Sequence, residues 1–349
     1  MLVTQQPVLK KFWYAIAPLT ELGGGPRGFT LLGEQIVVWL DRDGRPAALR
    51  DRCCHRTAKL SKGFVEADHI VCGYHGWTYD RSGACVRIPQ NEDGRVPAGI
   101  GVRSCFCRER YGWVWVALEE PLIDIPTIPE AALPGVRAIP QFFERWRTSS
   151  LRFLENAFDN SHFSYVHRTT FGDVANPQPA RYEIDETPWG FESRTVVDVV
   201  NPPSSHKLTG TTEPRTTRYL ANTYYVPFCR RFGCRYPNGR IHTIFNCATP
   251  VDDEHIMLAQ WLYRNDTEAD VTAAELNAFD RQVTIEDKEI LESTDPDACL
   301  DIDRKAERHM LSDRPGIVIR KLLLAVLRAH GEEEVFRQMP STSTMLDRA

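Results

Sequence analysis

Two short cysteine–histidine clusters constrain this 349-residue chain more than any other feature. Cys53-Cys54-His55 is followed, after 16 intervening residues, by Cys72-Gly73-Tyr74-His75. A C-x-H pair and a C-x-x-H pair can each set two ligands on one loop, and two such loops can clamp a centre between them. Two thiolates with two imidazoles suit a closed tetrahedral zinc site, or a [2Fe–2S] cluster in which histidines replace cysteines on one iron. The spacing alone leaves both open. The chain holds ten cysteines and ten histidines. Its N-terminus shows no basic region followed by an apolar core, so no secretory signal is read and a cytoplasmic location is expected. Reduced thiols or metal ligation then explain the cysteines better than a disulfide framework.

The net charge of −5 gives no global electrostatic case for nucleic acid or a membrane surface. No apolar run approaches the ~20 residues of a membrane helix. Short β-branched and aromatic runs (Gln35 to Leu40, His69 to Tyr74, Tyr111 to Leu118) predict a β-rich N-terminal domain over residues 1–130. The proline-rich stretch Pro121 to Pro140 reads as a linker. Residues 131–349 then read as an α+β domain, an antiparallel sheet with helices on one side. It opens with a helical stretch around Leu151 to His167. Strand-like runs follow at Arg181 to Val200 and Arg218 to Val226, then a hairpin of Arg240 to Pro250 and Ile256 to Arg264. Helices are expected over Thr272 to Thr294 and about Ile317 to His330. The Arg-rich segment Arg230 to Arg240 reads as a solvated loop, with a dock for an acidic ferredoxin or a site for an anionic substrate as alternatives.

A second constellation lies in Leu154-Glu-Asn-Ala-Phe-Asp-Asn-Ser-His162-Phe-Ser-Tyr-Val-His167. In a helix, Asp159 and His162 would share a face. Five residues of helix turn through about 500°, leaving His167 about 140° from His162. Both reach one metal only if the helix ends or bends between them. Further on, Asp287 falls on the apolar stripe of Leu276, Phe279, Val283 and Ile290. A carboxylate on a buried face is costly unless paired or metal-bound. A metal ligand is the most economical reading of Asp287, with a surface helix charge or a salt bridge to a nearby lysine or arginine as the alternative, and Glu286, Asp295 and Asp297 as fallbacks.

His55-Arg-x-x-x-Leu-Ser-x-Gly63 and Tyr74-His75-Gly-Trp-x-Tyr79 resemble the Rieske ferredoxin motif. Cys54 departs from it, standing where Pro or Ala is usual. Glu155-Asn156-x-x-Asp159-x-x-His162-x-x-x-x-His167 and Glu286-Asp287-x-x-Ile290 resemble the mononuclear iron motif of Rieske non-haem iron oxygenases. Phe12-Trp-Tyr and Glu109-Arg-Tyr-Gly-Trp-Val-Trp115 extend the likeness over most of the chain. It is greatest to the shorter branch of monooxygenases and N- or O-demethylases.

The resemblance implies a Rieske domain joined to a helix-grip domain, an antiparallel sheet with helices holding mononuclear iron. Cys53 and Cys72 would hold one cluster iron and His55 and His75 the other. His162, His167 and Asp287 would hold Fe(II). Asp159 would bridge His75 of one subunit to a ligand histidine of the next, usually in a homotrimer, and Asn156 would be a polar group near the iron. Electrons would come from NAD(P)H through a separate reductase, with or without a ferredoxin, since no dinucleotide motif is present. The reaction would be dioxygen-dependent hydroxylation of a C–H bond in a small aromatic, heterocyclic or alkaloid-like molecule, with demethylation where that carbon is a methyl on N or O. The competing reading is an iron–sulfur electron-transfer or zinc-binding protein with a non-catalytic ligand-binding domain. Tyr224, Phe245, Asn246 and Trp261 are guesses at the pocket wall.

Overall fold

The β-branched and aromatic runs near the N-terminus form the strands of two antiparallel sheets. A computed structural model describes residues 1–337, which divide into two units: Pro7–Ile125 with Thr249–Asp252, and Met1–Gln6 with Pro126–Ala248 and Asp253 onward. The division between Ile125 and Pro126 falls inside the proline-rich stretch. The first six residues belong to the second unit, where the Met1 amine bonds Asp297 Oδ1 at 2.8 Å.

In the first unit β1 (Tyr14–Pro18), β2 (Arg27–Leu31), β3 (Glu34–Leu40), β4 (Pro46–Arg50), β9 (Ser104–Arg110) and β10 (Trp113–Ala117) form a six-stranded sheet ordered β1-β10-β9-β4-β3-β2. A smaller sheet holds β5 (Phe64–Glu66), β6 (His69–Val71), β7 (Thr78–Tyr79) and β8 (Cys85–Arg87) in sequence order. The two cysteine–histidine loops enter and cross this smaller sheet. One precedes β5; the other is the turn between β6 and β7. Trp39, Leu60, Ile70 and Tyr79 form the core beneath them together with Cys53 and Cys72.

The second unit is one antiparallel sheet of seven strands, β11 (Arg137–Trp146), β12 (Glu183–Thr187), β13 (Gly190–Val200), β14 (Arg215–Tyr225), β15 (Cys229–Arg235), β16 (Ile241–Pro250) and β17 (Ile256–Arg264), ordered β11-β17-β16-β15-β14-β13-β12. Helices α1 (Ser150–Phe158), α2 (Phe163–Val166), α3 (His206–Thr209), α4 (Ala273–Leu291) and α5 (Arg314–Ala329) complete it. Thr272 and Glu275 start α4 with a reciprocal capping box. That helix is tied to the edge strand β11: Asn277 Nδ2 donates to Pro140 O at 3.1 Å and Arg281 to Glu144 at 2.6 Å. The α+β class, with a β-rich first domain and a sheet-and-helix second one, is as the sequence predicts.

Three local expectations are corrected. The helix from Leu151 to His167 is two helices, because Asp159 turns its carboxylate back onto the chain. Its Oδ1 accepts from the Ser161 amide at 2.7 Å and hydroxyl at 2.6 Å, and its Oδ2 from the His162 amide at 3.2 Å. Such a side chain competes with the helical ladder. The Arg230 to Arg240 loop is largely strand β15, with a turn only at Tyr236 to Gly239. Its arginines alternate between faces: Arg230 donates to Asn222 at 3.0 Å and Arg231 to Glu130 at 2.9 Å. The end of the proline-rich stretch is also strand. Pro140 is tolerated there because β11 is an edge strand with an irregularity between Pro140 and Phe142.

Candidate functional site

The two cysteine–histidine loops are built alike. Thr57 N bonds Cys53 O at 3.0 Å, and Gly76 N bonds Cys72 O at 2.9 Å, so each loop turns back over its own cysteine. Gly76 takes φ +74°, which favours glycine. Gly63 lets the neighbouring chain pass: a Cβ there would fall 1.9 Å from Val71 O. Cys53 and Cys72 are 2% and 1% exposed, while the histidine rings lie nearer the surface with centroids 4.6 Å apart. The His55 ring stacks on Trp77 at 4.5 Å. Desolvation and then the neighbouring His75 lower the pKa of His55. Burial raises the Cys72 thiol, against the backbone N–H groups of Tyr74 and His75, which favour its thiolate. The Tyr79 hydroxyl lies 3.0 Å from Cys53 Sγ and 3.3 Å from the extra thiol of Cys54.

A two-iron cluster fits these residues. His55 Nδ1 is buried with no hydrogen-bond partner, both cysteines are free thiols, and the donor set is two sulfurs and two imidazoles. The other cysteines contribute nothing comparable among the described residues.

In the second unit, the break at Asp159 lets both histidines face one point. His162 precedes α2 and His167 follows it, and their Nε2 atoms are 3.1 Å apart. Asp287 Oδ1 reaches in from α4, 3.5 Å from His162 Nε2 and 3.4 Å from His167 Nε2. The other nitrogen of each ring faces a carboxylate: His162 Nδ1 is 3.3 Å from Asp159 Oδ2, and His167 Nδ1 is 2.8 Å from Glu286 Oε2. Carboxylates at both Nδ1 atoms assign the protons there and leave lone pairs on both Nε2 atoms. Two lone pairs and a carboxylate oxygen converging at this range repel one another unless a cation lies between them. Donors on one face of an octahedron are about 3.0 Å apart for bonds of about 2.1 Å, so a facial two-histidine, one-carboxylate site fits. These three are the group of metal-capable side chains that converges in this way among the described residues.

Burial lowers the His167 imidazole, with Asp287 pulling the other way, and so favours the neutral form that binds metal. Burial works against the Asp159 carboxylate, but His162 and Ser161 hold it below the usual range. Asn156 Nδ2 donates to Asp287 Oδ1 at 3.3 Å. Of the fallback acids, Glu286 holds His167, Asp297 takes the N-terminus, and Asp295 is outside the cluster.

The three donors open into a cavity between the sheet and α4, with about 930 Å³ of empty space including its mouth. Its floor follows strand alternation. Arg218 and Leu220 on β14, Arg230 and Phe232 on β15, and Asn246 on β16 point inward, with Gln260 on β17. Of the four pocket guesses only Asn246 lines it. Phe245 and Trp261 stack on each other at 4.8 Å on the opposite face, and Tyr224 lies under Phe158 at 6.1 Å. Sequence reasoning missed Arg218, His242 and Asp280. Asp280 lies seven residues before Asp287 on the buried row of α4, so the argument that found one acid applies to the other. It bonds His242 Nε2 at 3.1 Å.

The description "Rieske [2Fe-2S] domain" matches residues 12–105, and "Vanillate O-demethylase oxygenase C-terminal domain" matches residues 146–329. The chain is 32% identical to methylxanthine N1-demethylase NdmA of Pseudomonas putida over 95% of its own length and 93% of that protein's. The structure of NdmA with caffeine superposes with a TM-score of 0.79 at 29% identity, covering 97% of this chain and 99% of that one. Dicamba monooxygenase bound to 3,6-dichlorosalicylic acid shares the fold, with a TM-score of 0.81 at 20% identity over 93% of this chain and 99% of that one. The oxygenase match in the second unit sets aside a mere electron carrier or zinc protein. A Rieske domain of the [2Fe–2S] type followed by an oxygenase domain, in a chain alike from end to end to a demethylase, makes this protein a member of the Rieske oxygenase family, the oxygenase component of a non-haem iron monooxygenase.

Proposed function

We propose that the protein hydroxylates a methyl or other C–H carbon of a small organic molecule, with N- or O-demethylation as the outcome where the carbon is a methyl on N or O. The observation that carries this is the convergence of two histidine nitrogens and one carboxylate oxygen at 3.1–3.5 Å beside a largely apolar cavity. The relative named as a methylxanthine N1-demethylase supports the demethylation arm. In balance, C–H, dioxygen, two electrons and two protons give C–OH and water. A hydroxymethyl on N or O then releases formaldehyde and leaves N–H or O–H.

Cys53, His55, Cys72 and His75 would hold the cluster, and His162, His167 and Asp287 the iron. The cluster would supply single electrons and the iron dioxygen activation. The chain's own part is positional. Glu286 and Asp159 hold the two imidazoles by their Nδ1 protons, Asn156 steadies the Asp287 carboxylate, and Phe153, Leu220, Phe232 and Leu258 keep water from the reacting carbon. Electrons come from NAD(P)H through a separate reductase, in the cytoplasm. The assembly is a homotrimer in which Asp159 of one subunit meets His75 of the next.

Iron analysis with electron paramagnetic resonance tests this. Reduced protein is expected to show a rhombic Rieske signal and about one iron beyond the two of the cluster. Formaldehyde release from N-methyl or O-methyl substrates separates demethylation from plain hydroxylation. A colourless protein with stoichiometric zinc would sink the proposal.

A further inference from the structure

Arg218 lies in the cavity, only 8% exposed, yet its Nε and Nη2 have no hydrogen-bond partner among the described residues. Its guanidinium is flanked by rings instead: Phe171 at 4.5 Å and Tyr236 at 6.0 Å. Burying a charge with open donors is costly unless something returns the lost hydrogen bonds.

The open edge has a known complement. Nε and Nη2 are the two parallel donors that take both oxygens of a carboxylate. Elsewhere in this protein the same edge does so. Arg42 Nε and Nη2 meet Asp68 at 2.9 and 2.8 Å, and Arg231 meets both oxygens of Glu130. Arg218 presents this edge buried and unpaired.

A second cation lines the same cavity. Arg230 also lines the cavity, lies 4.6 Å from the Phe232 ring and bonds Asn222 at 3.0 Å, while its Nε has no partner. Burial lowers its pKa, against the charge of Tyr182 and then that of Asp287. The acids of the cavity are committed elsewhere. Asp280 takes His242 at 3.1 Å and Gln141 at 2.5 Å, and Asp287 faces the two histidines. Phe171 also stacks on His167 at 4.7 Å, so the open edge is one ring away from the metal-capable donors.

We propose that the substrate carries a carboxylate, seated on the Nε–Nη2 edge of Arg218 with Arg230 as a supporting cation, on a flat ring system lying among Phe163, Phe232, Phe279 and Tyr236. This rests on the reading of the cavity as the substrate site, and it names the substrate class.

The test is calorimetric titration of the holoprotein with methyl- and methoxy-substituted benzoates, each paired with the matching benzamide. At least one benzoate is expected to bind about tenfold or more tightly than its amide. Arg218→Gln is expected to abolish that preference while iron content and the Rieske spectrum stay unchanged; Arg218→Lys keeps part of it. Should Arg218→Gln fail to fold, Arg230→Gln is read in the same way and should reduce the ratio. The proposal is overturned if no benzoate binds better than its amide, binding by none included, or if the preference survives in both glutamine variants. Loss of the oxygenase reading is a separate result: a holoprotein lacking the third iron while the benzoate preference persists.

Discussion

Adjacent on α4, Glu286 and Asp287 address the same imidazole from opposite sides. Asp287 Oδ1 stands 3.4 Å from His167 Nε2, whereas Glu286 Oε2 takes the Nδ1 proton at 2.8 Å and a second proton from Thr170 at 2.9 Å. If Asp287 ligates and Glu286 orients, the two substitutions separate. Asp287→Ala should remove the mononuclear iron and leave the Rieske spectrum intact, as iron per chain and visible absorbance would record. Glu286→Gln should keep the site but weaken its metal affinity about 10–100-fold, measured by competition with a chelator. Loss of both centres in either variant would mean that α4 had failed structurally. The position of Asp287 was legible because a carboxylate next to Val283 on a buried face asks for a partner. The stripe itself was legible only in part: Ile290, used to define it, is 47% exposed. Glu286 was harder to place, since successive helical residues lie about 100° apart and only the loop carrying Thr169 and Thr170 decides what it meets. Arg218 and its inward-facing neighbours could not be found from the chain, because a strand tells its two faces apart only once its register is known.

Among the elements, α5 shows how a charge can sit in an apolar helix. Its pattern reads as amphipathic, interrupted by Arg320 and Lys321. Lys321 is exposed, but Arg320 is only 3% exposed. It bonds both oxygens of Glu155 on α1, Glu307 Oε2 at 2.5 Å, and Cys299 O at 2.6 Å. The cluster fixes α5 against the helix whose end carries Asp159. Burial works against the Glu307 carboxylate, but Arg152 and then Arg320 hold it below its ordinary pKa. A depressed carboxylate contributes stability above its unfolded pKa of about 4.3 and loses it as pH falls through the lower folded value. Arg320→Leu removes the buried one of the two cations that Glu155 and Glu307 share and leaves both acids on Arg152 alone. It should cost about 3 kcal/mol at neutral pH, and the deficit should narrow below pH ~4 as those acids protonate. Denaturant melts at pH 7 and pH 3 would check both; equal losses at the two pH values would deny the ion cluster its role. Element boundaries followed the sequence where caps and alternation were strong, as at Thr272 and along β16 and β17. They departed where a single side chain overrode the pattern, as at Asp159.

For the whole molecule, an electron in the proposed route would pass from the cluster of one subunit to the iron of the next, with Asp159 as the bridge between them. Both carboxylate oxygens are engaged, one with Ser161 and one with His162, and the side chain remains partly exposed. A carboxylate that already holds one ligand imidazole has lone pairs left to accept a proton from a second, the one offered by His75 of a neighbouring subunit in the proposed trimer. Asp159→Asn keeps the size of the side chain and the acceptor that ends α1, so fold, cluster and iron should survive. It removes the charge and half of the accepting capacity, and re-oxidation of the reduced cluster on adding substrate and dioxygen should slow about 10–100-fold. Stopped-flow absorbance of the prereduced protein reads that step apart from the reductase, and sedimentation shows whether the assembly is unchanged. Normal re-oxidation in an intact trimer would remove Asp159 from the path. Slow re-oxidation with the trimer dissociated would make the residue an assembly contact instead. Only the slow step in an unchanged assembly joins the two units, through this carboxylate, into one catalyst.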